Sequence, residues 1–378
     1  MWKNHLCIVM AIEHYNPLGV IRSLGEAGVR PVFIAIKGRA KIASASKYIS
    51  KCHFVDNIEE GYALLQSEYG NVAAETGIKP FLFSSDDKDI GYLDYHYDEL
   101  KDKFICFNAG KQGRVNEFMD KHNILELAKK HGLSVLDNRV CQRGQLPEGL
   151  RYPVITKSIS PTIGGWKSDV HICHSEAELL AAYEQIEAPT VLVQEYIEKQ
   201  NEYAIEGFSA NQGKDVLLAI ASTYDYILPD YYSPLMTVTN MYNEPVKKSL
   251  EGMLKEIGFE GVFEVEFLVA QDGTLYFLEI NFRNSTWSYA ATKAGMPLPV
   301  LWAETMENGC MRADARKDIN GSFTAMVEPI DYAKRVKTGK IDKAQWLVEF
   351  KQAKCGYYFS ADDVEPWRIC VENWDNLG

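Results

Sequence analysis

The chain has 378 residues, and its balance of 46% hydrophobic and 24% charged residues is typical of folded globular proteins, which excludes bulk disorder. A formal net charge of −12 opposes binding to nucleic-acid backbones, and no apolar run reaches the roughly 20 residues that span a membrane. This length predicts two or three structural units instead of a single core.

The N-terminal residues predict a β-strand and not a signal peptide, because polar residues and no small-residue cleavage site follow the apolar residues 6–12. The eight cysteines are scattered and form no CxxC pair. In a large chain without a signal peptide, scattered cysteines indicate reduced thiols, so we expect a cytoplasmic location.

Strand and helix patterns alternate along the first hundred residues. Apolar strand runs and helical spacing follow one another at residues 5–12, 18–27, 31–36, 52–55, 59–74 and 80–84. This alternation predicts an α/β fold with a parallel sheet, a Rossmann-like unit that ends in an acidic cluster of Asp86, Asp87 and Asp89. The first turn lacks the GxGxxG fingerprint, so neither a bound dinucleotide nor a nicotinamide oxidoreductase is expected.

The chain beyond this unit mixes strands with longer helices. Helical spacing predicts helices at residues 116–131, 175–186 and 243–257. Strands are predicted at residues 152–158, 169–173, 190–197, 203–210, 216–224, 261–270 and 274–281. The residues after 311 contain a basic segment and an aromatic tail, and no motif assigns them a function.

The most informative pattern is a predicted hairpin across the turn at residues 271–273. Side chains alternate between the two faces of a strand, so Glu264 and Glu266 share one face of the first strand. Glu279 and Asn281 likewise share a face of the second strand. Pairing of the two strands would therefore bring Glu266 and Glu279 together.

These converging side chains predict a cation site. Two carboxylates and the Asn281 amide oxygen form an oxygen-only site that suits Mg²⁺ bridging phosphates, and two adjacent carboxylates without a cation are costly. An exposed hairpin face would show the same alternation. Against that interpretation, the other face of the second strand is apolar, with Leu278, Ile280 and Phe282.

Other common sites are absent from the sequence. It contains no P-loop, no HExxH or GxSxG motif and no kinase catalytic loop. His171 and His174 have no second pair of ligands nearby in the sequence, so we interpret them as ordinary strand residues.

Several short motifs occur in a familiar order. They are Asn16-Pro17-Leu18-Gly19, Asp120-Lys121, the strand at residues 152–157 with Lys157, the strand at 191–197, and Glu266 followed by Glu279-Ile280-Asn281-Phe282-Arg283. Over residues 16–306 this order resembles the ATP-grasp superfamily, in particular its carboxylate–amine ligases. Position 282 is Phe where the family often has Pro, and this change removes no ligand.

The resemblance implies a nucleotide site and a metal site. Lys121 and Lys157 would bind the phosphates of ATP, while Gly164 and Gly165 lie in a loop that would close over them. The adenine would lie against residues 194–197, which are Gln194, Glu195, Tyr196 and Ile197. Glu202 would bind the ribose. The cation, Mg²⁺ or Mn²⁺, would be held by Glu266, Glu279 and Asn281, and the catalytic cations would be Arg283 and Lys157.

The expected organisation has three parts. Residues 1–110 would form the Rossmann-like domain, 111–310 an ATP-grasp domain with lobes at 111–198 and 199–310, and 311–378 a C-terminal extension. The expected activity is ADP-forming ligation of a small carboxylate to an amine, such as an amino acid, through an acyl phosphate. The alternatives are activation of bicarbonate or carbamate and a non-catalytic ATP-binding module. We expect a homodimer, without nucleic-acid or membrane partners.

Overall fold

The computed structural model describes residues 2–38, 40–160, 166–228 and 233–372, apart from the side chains of residues 166 and 167. Three sheets organise this part of the chain, and helices pack against them. Within it, no helix is both long and apolar enough to cross a membrane. The α/β class expected from the sequence is confirmed.

The first sheet is parallel and has the strand order β3-β2-β1-β4-β5. Its strands are β1 (Cys7–Ile12), β2 (Val32–Ile36), β3 (Lys51–Val55), β4 (Phe81–Phe83) and β5 (Ile105–Cys106). The helices of this region are α1 (Tyr15–Glu26), α2 (Ile58–Leu64), α3 (Val72–Thr76), α4 (Asp87–Tyr95) and α5 (Tyr97–Leu100). Apolar side chains fill both faces of the sheet, which explains why its strands read as continuous apolar runs.

Two predicted helices differ from the observed ones. The helix expected at residues 59–74 is interrupted by a π-helical turn, Leu65–Tyr69, between α2 and α3. The helix expected at 116–131 is two helices, α6 (Arg114–Met119) and α7 (Lys121–Lys130). The break occurs at Asp120, whose backbone is extended and whose carboxylate caps α7 by accepting from the N–H groups of His122 and Asn123.

A small antiparallel sheet follows, with the order β6-β9-β7-β8. Its strands are β6 (Asn138–Gln142), β7 (Val154–Ser158), β8 (Ile172–Cys173) and β9 (Thr190–Glu195), and α8 (Glu176–Tyr183) packs beside them. Ser175 caps α8, as its sequence position suggests, by accepting from the Glu178 N–H.

The largest sheet has seven strands in the order β14-β13-β10-β11-β12-β15-β16. They are β10 (Asn201–Ala210), β11 (Asp215–Tyr224), β12 (Leu235–Thr239), β13 (Gly261–Val269), β14 (Leu275–Asn281), β15 (Phe323–Met326) and β16 (Cys355–Gly356). The helices are α9 (Glu244–Ile257), α10 (Ser288–Lys293), α11 (Leu298–Asn308), α12 (Glu328–Asp331), α13 (Lys343–Gln352) and α14 (Glu365–Glu372). Strands β15 and β16 come from the segment expected to be a C-terminal extension, so that segment completes this sheet.

Helix α11 joins the N-terminal sheet to the large one. The fully buried Trp302 ring lies edge-on to three aromatic rings of the N-terminal region, with centroid distances of 5.6 Å to Phe81, 5.5 Å to Phe83 and 4.8 Å to Phe107. This aromatic cluster belongs to a hydrophobic core that continues beneath the large sheet. The two sheets therefore share one core.

Two buried charged side chains hold residues 357–359 from opposite sides. Arg22 donates from Nη1 and Nη2 to the carbonyls of residues 357 and 358 at 3.0 and 2.9 Å, and from Nε to Asp363 at 2.9 Å. Glu328 accepts from the backbone N–H groups of all three residues at 2.9 to 3.3 Å. We call this arrangement the terminal clamp, because it fastens the C-terminal segment to helix α1.

Candidate active site

A cavity of about 1080 Å³ lies where the three sheets meet. The loops after β1 and β4 form one side of it, at the carboxyl ends of parallel strands, where open α/β sheets commonly bind ligands. Strands β7 and β9 supply a second side, and β13 with β14 a third. Eight residues of the predicted site line it: Lys121, Lys157, Gln194, Glu202, Glu266, Glu279, Asn281 and Arg283.

The acidic edge of the cavity comes from the hairpin of β13 and β14. Glu266 lies directly opposite Glu279, and Glu264 lies opposite Asn281. The convergence of Glu266 and Glu279 predicted from strand alternation is therefore observed. The alternation fails at Leu278, which lines the cavity, because a register shift after Glu266 adds one residue to β14.

Asn281 links the carboxylates of this edge. Its Nδ2 donates to Glu264 at 3.0 Å and to Glu266 at 2.9 Å, while its Oδ1 accepts from Arg283 at 3.2 Å. The amide nitrogen, and not the oxygen, thus faces the carboxylates. Coordination of a cation by Asn281 together with Glu266 and Glu279 would require the amide to turn over.

The hydrogen bonds within the acidic edge do not fully compensate the negative charges of its carboxylates. Burial, followed by the charges of Glu264, Glu279 and Glu202, raises the pKa of Glu266 well above its usual value. Among the residues that the structure describes, no three His, Cys, Asp or Glu side chains are arranged to hold a metal by themselves. A divalent cation on Glu266 and Glu279 fits this edge if Asn281 or a bound phosphate completes its ligands.

Two lysines face the acidic edge, one from α7 and one from β7. Lys121 forms an ion pair with Glu279. Burial acts to lower the pKa of Lys121, but the neighbouring carboxylates, led by Glu279, together outweigh it and the pKa is raised. Lys157 donates to Gln194 Oε1 at 2.9 Å. Burial, followed by repulsion from Lys121, lowers the pKa of Lys157 to about 8. An anion between the two ammonium groups would relieve that repulsion.

Arg283 lies at the end of β14 and contacts the N-terminal unit. Its Nε and Nη2 donate to the two carboxylate oxygens of Asp87 at 2.6 and 2.9 Å. Burial acts to lower the pKa of Arg283, but the neighbouring carboxylates, led by Asp87, together outweigh it and the pKa is raised. The guanidinium is therefore a permanent charge inside the cavity.

Residues of the predicted adenine site lie in different places. Gln194 lines the cavity, whereas Glu195, Tyr196 and Ile197 are not in its lining. The Glu195 carboxylate accepts from Arg151 Nε at 3.2 Å, and the Tyr196 N–H donates to the carbonyl of residue 153 at 2.8 Å. Glu202 lines the cavity and accepts from Lys199.

The structure describes part of the predicted phosphate loop. Gly164 and Gly165 lie outside the described residues. At the base of this loop, Asp169 is fully buried and accepts from Ser158 Oγ at 3.0 Å and from the Glu187 N–H at 2.9 Å. The 3₁₀ turn Trp166–Asp169 is thereby fixed to β7, the strand that carries Lys157.

The opposite end of the cavity was not predicted from the sequence. It is lined by Glu13 and Tyr15 after β1, by Ser85 and Asp87 after β4, and by Trp287. The acidic cluster after a predicted strand was the available signal for Asp87, because strand ends of parallel sheets meet at one edge. Ser85 Oγ and Glu13 Oε2 are buried and have no hydrogen-bond partner among the residues that the structure describes, so this end offers polar groups to a ligand.

A buried pair of glutamates supports this end from beneath. Glu206 lies opposite Glu264 in the large sheet and accepts from Ser285 Oγ at 2.6 Å and Ser288 Oγ at 2.7 Å. Burial raises the pKa of Glu206 to about 7 against these two hydrogen bonds. No sequence motif marks Glu206, because its partners are brought together by tertiary packing.

Comparison with known proteins identifies related chains. A family model described as an ATP-grasp domain matches residues 150–289. The D-alanine--D-alanine ligase of Anaeromyxobacter sp. (strain K) is 28% identical over 217 residues, which cover 52% of this chain and 68% of that protein.

Two solved structures have a similar fold. An L-amino acid ligase from Bacillus licheniformis gives a TM-score of 0.61 at 14% identity, over 80% of this chain and 74% of that one. The biotin carboxylase domain of 2-oxoglutarate carboxylase from Hydrogenobacter thermophilus, solved with MgADP and bicarbonate, gives 0.61 at 19% identity, over 84% and 73%. At these identities the likeness concerns the fold alone.

Proposed function

Because the chain belongs to the ATP-grasp superfamily, we propose that it is an ADP-forming ligase that joins a small carboxylic acid to an amine. One observation carries this proposal. The cavity brings two lysines and an arginine against an edge of carboxylates, the set of charges that phosphoryl transfer from ATP to a carboxylate requires.

The nucleotide would lie between the small sheet and the large one. Lys121 and Lys157 would neutralise phosphate oxygens, and Gly164 with Gly165 would cover them from the loop. The adenine would enter along β9, beside Gln194. The predicted contacts of Glu195, Tyr196 and Ile197 with the adenine require residues 195–197 to reach the cavity, from whose lining they are absent. Glu202 would accept hydrogen bonds from the ribose.

A divalent cation, Mg²⁺ or Mn²⁺, would be held by Glu266, Glu279 and Asn281. When bound, it supplies charge compensation between the phosphate oxygens and the carboxylates. Lys121 forms an ion pair with Glu279, and with Glu279 engaged by a cation Lys121 would be free to contact phosphate oxygens. Asn281 would turn its oxygen toward the carboxylates at the same time.

The proposed reaction uses the positive charge that Arg283 places in the cavity. A substrate carboxylate oxygen attacks the γ-phosphorus of ATP, ADP leaves, and an acyl phosphate forms. The amine nitrogen then attacks the acyl carbon, phosphate leaves with the bonding electron pair, and the nitrogen loses a proton to give the amide. Arg283 stabilises negative charge on the transferring phosphoryl group, and the protein acts through positioning and electrostatics.

The second candidate is activation of bicarbonate or carbamate. It is favoured by the likeness to the carboxylase domain that was solved with bicarbonate. A non-catalytic ATP-binding module is disfavoured, because such a module has no need to keep Arg283 and the acidic edge in one cavity with both lysines. The division of the chain near residues 110 and 310 also remains our proposal.

The test is release of ADP and phosphate with Mg-ATP, measured over a panel of amino acids, small carboxylates, amines and bicarbonate. Release that requires one acid and one amine together, with an amide detected by mass spectrometry, is the expected result. Release driven by bicarbonate alone would replace the ligase proposal with the second candidate.

The control for this test is Glu279→Gln, which removes one ligand charge from the acidic edge and keeps the side-chain volume. We expect it to abolish ADP release while the melting temperature stays close to that of the wild type. Near-normal turnover would remove Glu279 from the metal site.

A further inference from the structure

Arg283 is held by a carboxylate that lies 196 residues earlier in the chain. Asp87 accepts from Nε and Nη2 in a bidentate arrangement, with both distances below 3 Å. Such paired charge-assisted bonds fix the orientation of a guanidinium as well as its place. Both side chains are largely buried, with 15% of Arg283 and 30% of Asp87 exposed, so solvent screens the pair only in part.

The position of Asp87 is itself rigid. It is the first residue of α4, and the preceding Asp86 caps that helix by accepting from the Lys88 N–H at 2.9 Å. Helix α4 begins after the buried strand β4, and Ile90 and Leu93 of the helix are buried. Asp87 therefore presents its carboxylate from a fixed backbone and not from a loop tip.

The bonds of Arg283 leave one part of its guanidinium for a ligand. Nε and Nη2 donate to Asp87, and Nη2 also donates to Asn281. Nη1 has no hydrogen-bond partner within the described residues, and Arg283 lines the cavity. Asp87 thus holds the guanidinium through Nε and Nη2, while Nη1 is available for an anionic oxygen.

We propose that Asp87 is a positioning residue, which aims the guanidinium of Arg283 at the reacting carboxylate or phosphoryl oxygen. This inference rests on the proposed function. It means that the N-terminal unit completes the reaction centre of the nucleotide-binding part, because Asp87 sets the direction in which Arg283 acts. Displacement of such a group by about 1 Å is enough to slow an enzymatic step by roughly 100-fold.

A different role for Asp87 would change the activity in the opposite direction when its charge is removed. If Asp87 were a latch that occupies Arg283 until a substrate carboxylate displaces it, removal of the Asp87 charge would raise the activity or the affinity for the acid. If it aims Arg283, removal of the charge lowers turnover. The sign of the change in kcat therefore separates the two roles.

The experiment compares wild type with Asp87→Asn, which keeps the volume and loses the charge. We expect kcat for ADP release to fall by about 10- to 100-fold, while Kd for Mg-ATP changes less than about twofold. The matched control is Asp98→Asn, which removes a charge from the exposed start of α5, where Asp98 pairs only with Lys101 at 2.6 Å among its described ion pairs. This control should leave both quantities unchanged.

A double-mutant cycle and a crystal structure complete the test. In an Arg283→Lys background, adding Asp87→Asn should change kcat less than about threefold, because lysine cannot form the bidentate pair. In crystals of Asp87→Asn, the guanidinium should leave the place it occupies in wild type. A guanidinium that stays there, an unchanged kcat or a faster enzyme would each overturn the inference.

These outcomes are separable from failure of the proposed function. The proposed function is judged on wild type alone, by whether an acid and an amine form an amide. The inference is judged on the ratio of variant to wild type in ADP release, with any acceptor including water, and on the crystallographic position of Arg283. A wild type that forms no amide would therefore leave the position of Arg283 as a valid test.

Discussion

Two lysines a short distance apart in the cavity have opposite electrostatic surroundings. Lys121 is compensated by Glu279, and its pKa is raised. Lys157 donates to an amide oxygen, and burial, followed by the charge of Lys121, lowers its pKa to about 8. Lys157 is therefore the cation that lacks a partner charge of its own among the described bonds. An ATP phosphate would gain most from Lys157.

Affinity for Mg-ATP should depend on pH through Lys157. Below about pH 8 this lysine is charged in the free protein, so affinity is at its full value. Above about pH 8 binding must take up a proton, and the affinity should fall by up to about tenfold per pH unit. Isothermal titration calorimetry from pH 7 to pH 10 measures this.

Lys157→Arg is the control, because arginine stays charged throughout this range. Its affinity should show no fall above pH 8. A parallel fall in wild type and Lys157→Arg would assign the titration to another group.

At the residue scale, the sequence predicts pairs that follow from local rules and misses pairs that do not. The pairing of Glu266 with Glu279 across the two strands follows from strand alternation and a short turn, and both can be recognised in the sequence. The pair of Asp87 and Arg283 depends on how two sheets meet, which no spacing encodes. A period-two pattern likewise does not predict the bulge that places Leu278 in the cavity lining.

Among the elements, the break between α6 and α7 matters most for the site. The apolar spacing continues across residues 116–131, so periodicity predicted one helix, although Asp120 is a favourable N-cap residue. The break makes Lys121 the first residue of a new helix, and its N–H donates to the carbonyl of residue 159 at 2.8 Å. The cap therefore fixes the backbone from which Lys121 reaches Glu279.

Asp120→Ala should weaken both the helix and the site. Loss of two capping hydrogen bonds should lower the free energy of unfolding by about 1 kcal/mol. We also expect weaker Mg-ATP binding, since the backbone of Lys121 is less well held. Urea denaturation and calorimetry measure the two effects.

Asp120→Asn is the matched control for this prediction, because asparagine is an equally good cap. It should keep stability and affinity near the wild-type values. An Asp120→Ala protein with wild-type affinity would show that the cap does not position Lys121.

Across the whole molecule, the C-terminal segment is part of the fold and not an appendage. Its strands are two to four residues long, and the terminal clamp joins Arg22 to carbonyls 335 and 336 positions away. Short strands carry little periodicity, and such distant partners leave no local pattern. This is why the sequence predicted the N-terminal parallel sheet well and the last seventy residues poorly.

Removing one charge of the terminal clamp should destabilise the protein strongly. Arg22 and Asp363 are almost fully buried, so Asp363→Ala leaves the guanidinium with backbone carbonyls alone. We expect a loss of about 3 kcal/mol in the free energy of unfolding, measured by urea denaturation. Asp362→Ala, at the exposed neighbouring position, should change it by less than about 0.5 kcal/mol. Equal effects of the two substitutions would contradict a role for the buried pair.

The terminal clamp also has a consequence for synthesis on the ribosome. Tyr357 is translated 335 residues after Arg22, an interval of roughly 17 to 67 s at 5 to 20 residues per second. During that time the buried face of α1 has no carbonyls for its arginine, so the nascent N-terminal unit cannot reach its final packing. Completion of the C-terminal segment is then the event that closes the fold. A chain stalled before that point leaves the face of α1 that carries Arg22 uncovered, a defect that chaperones and proteases can recognise.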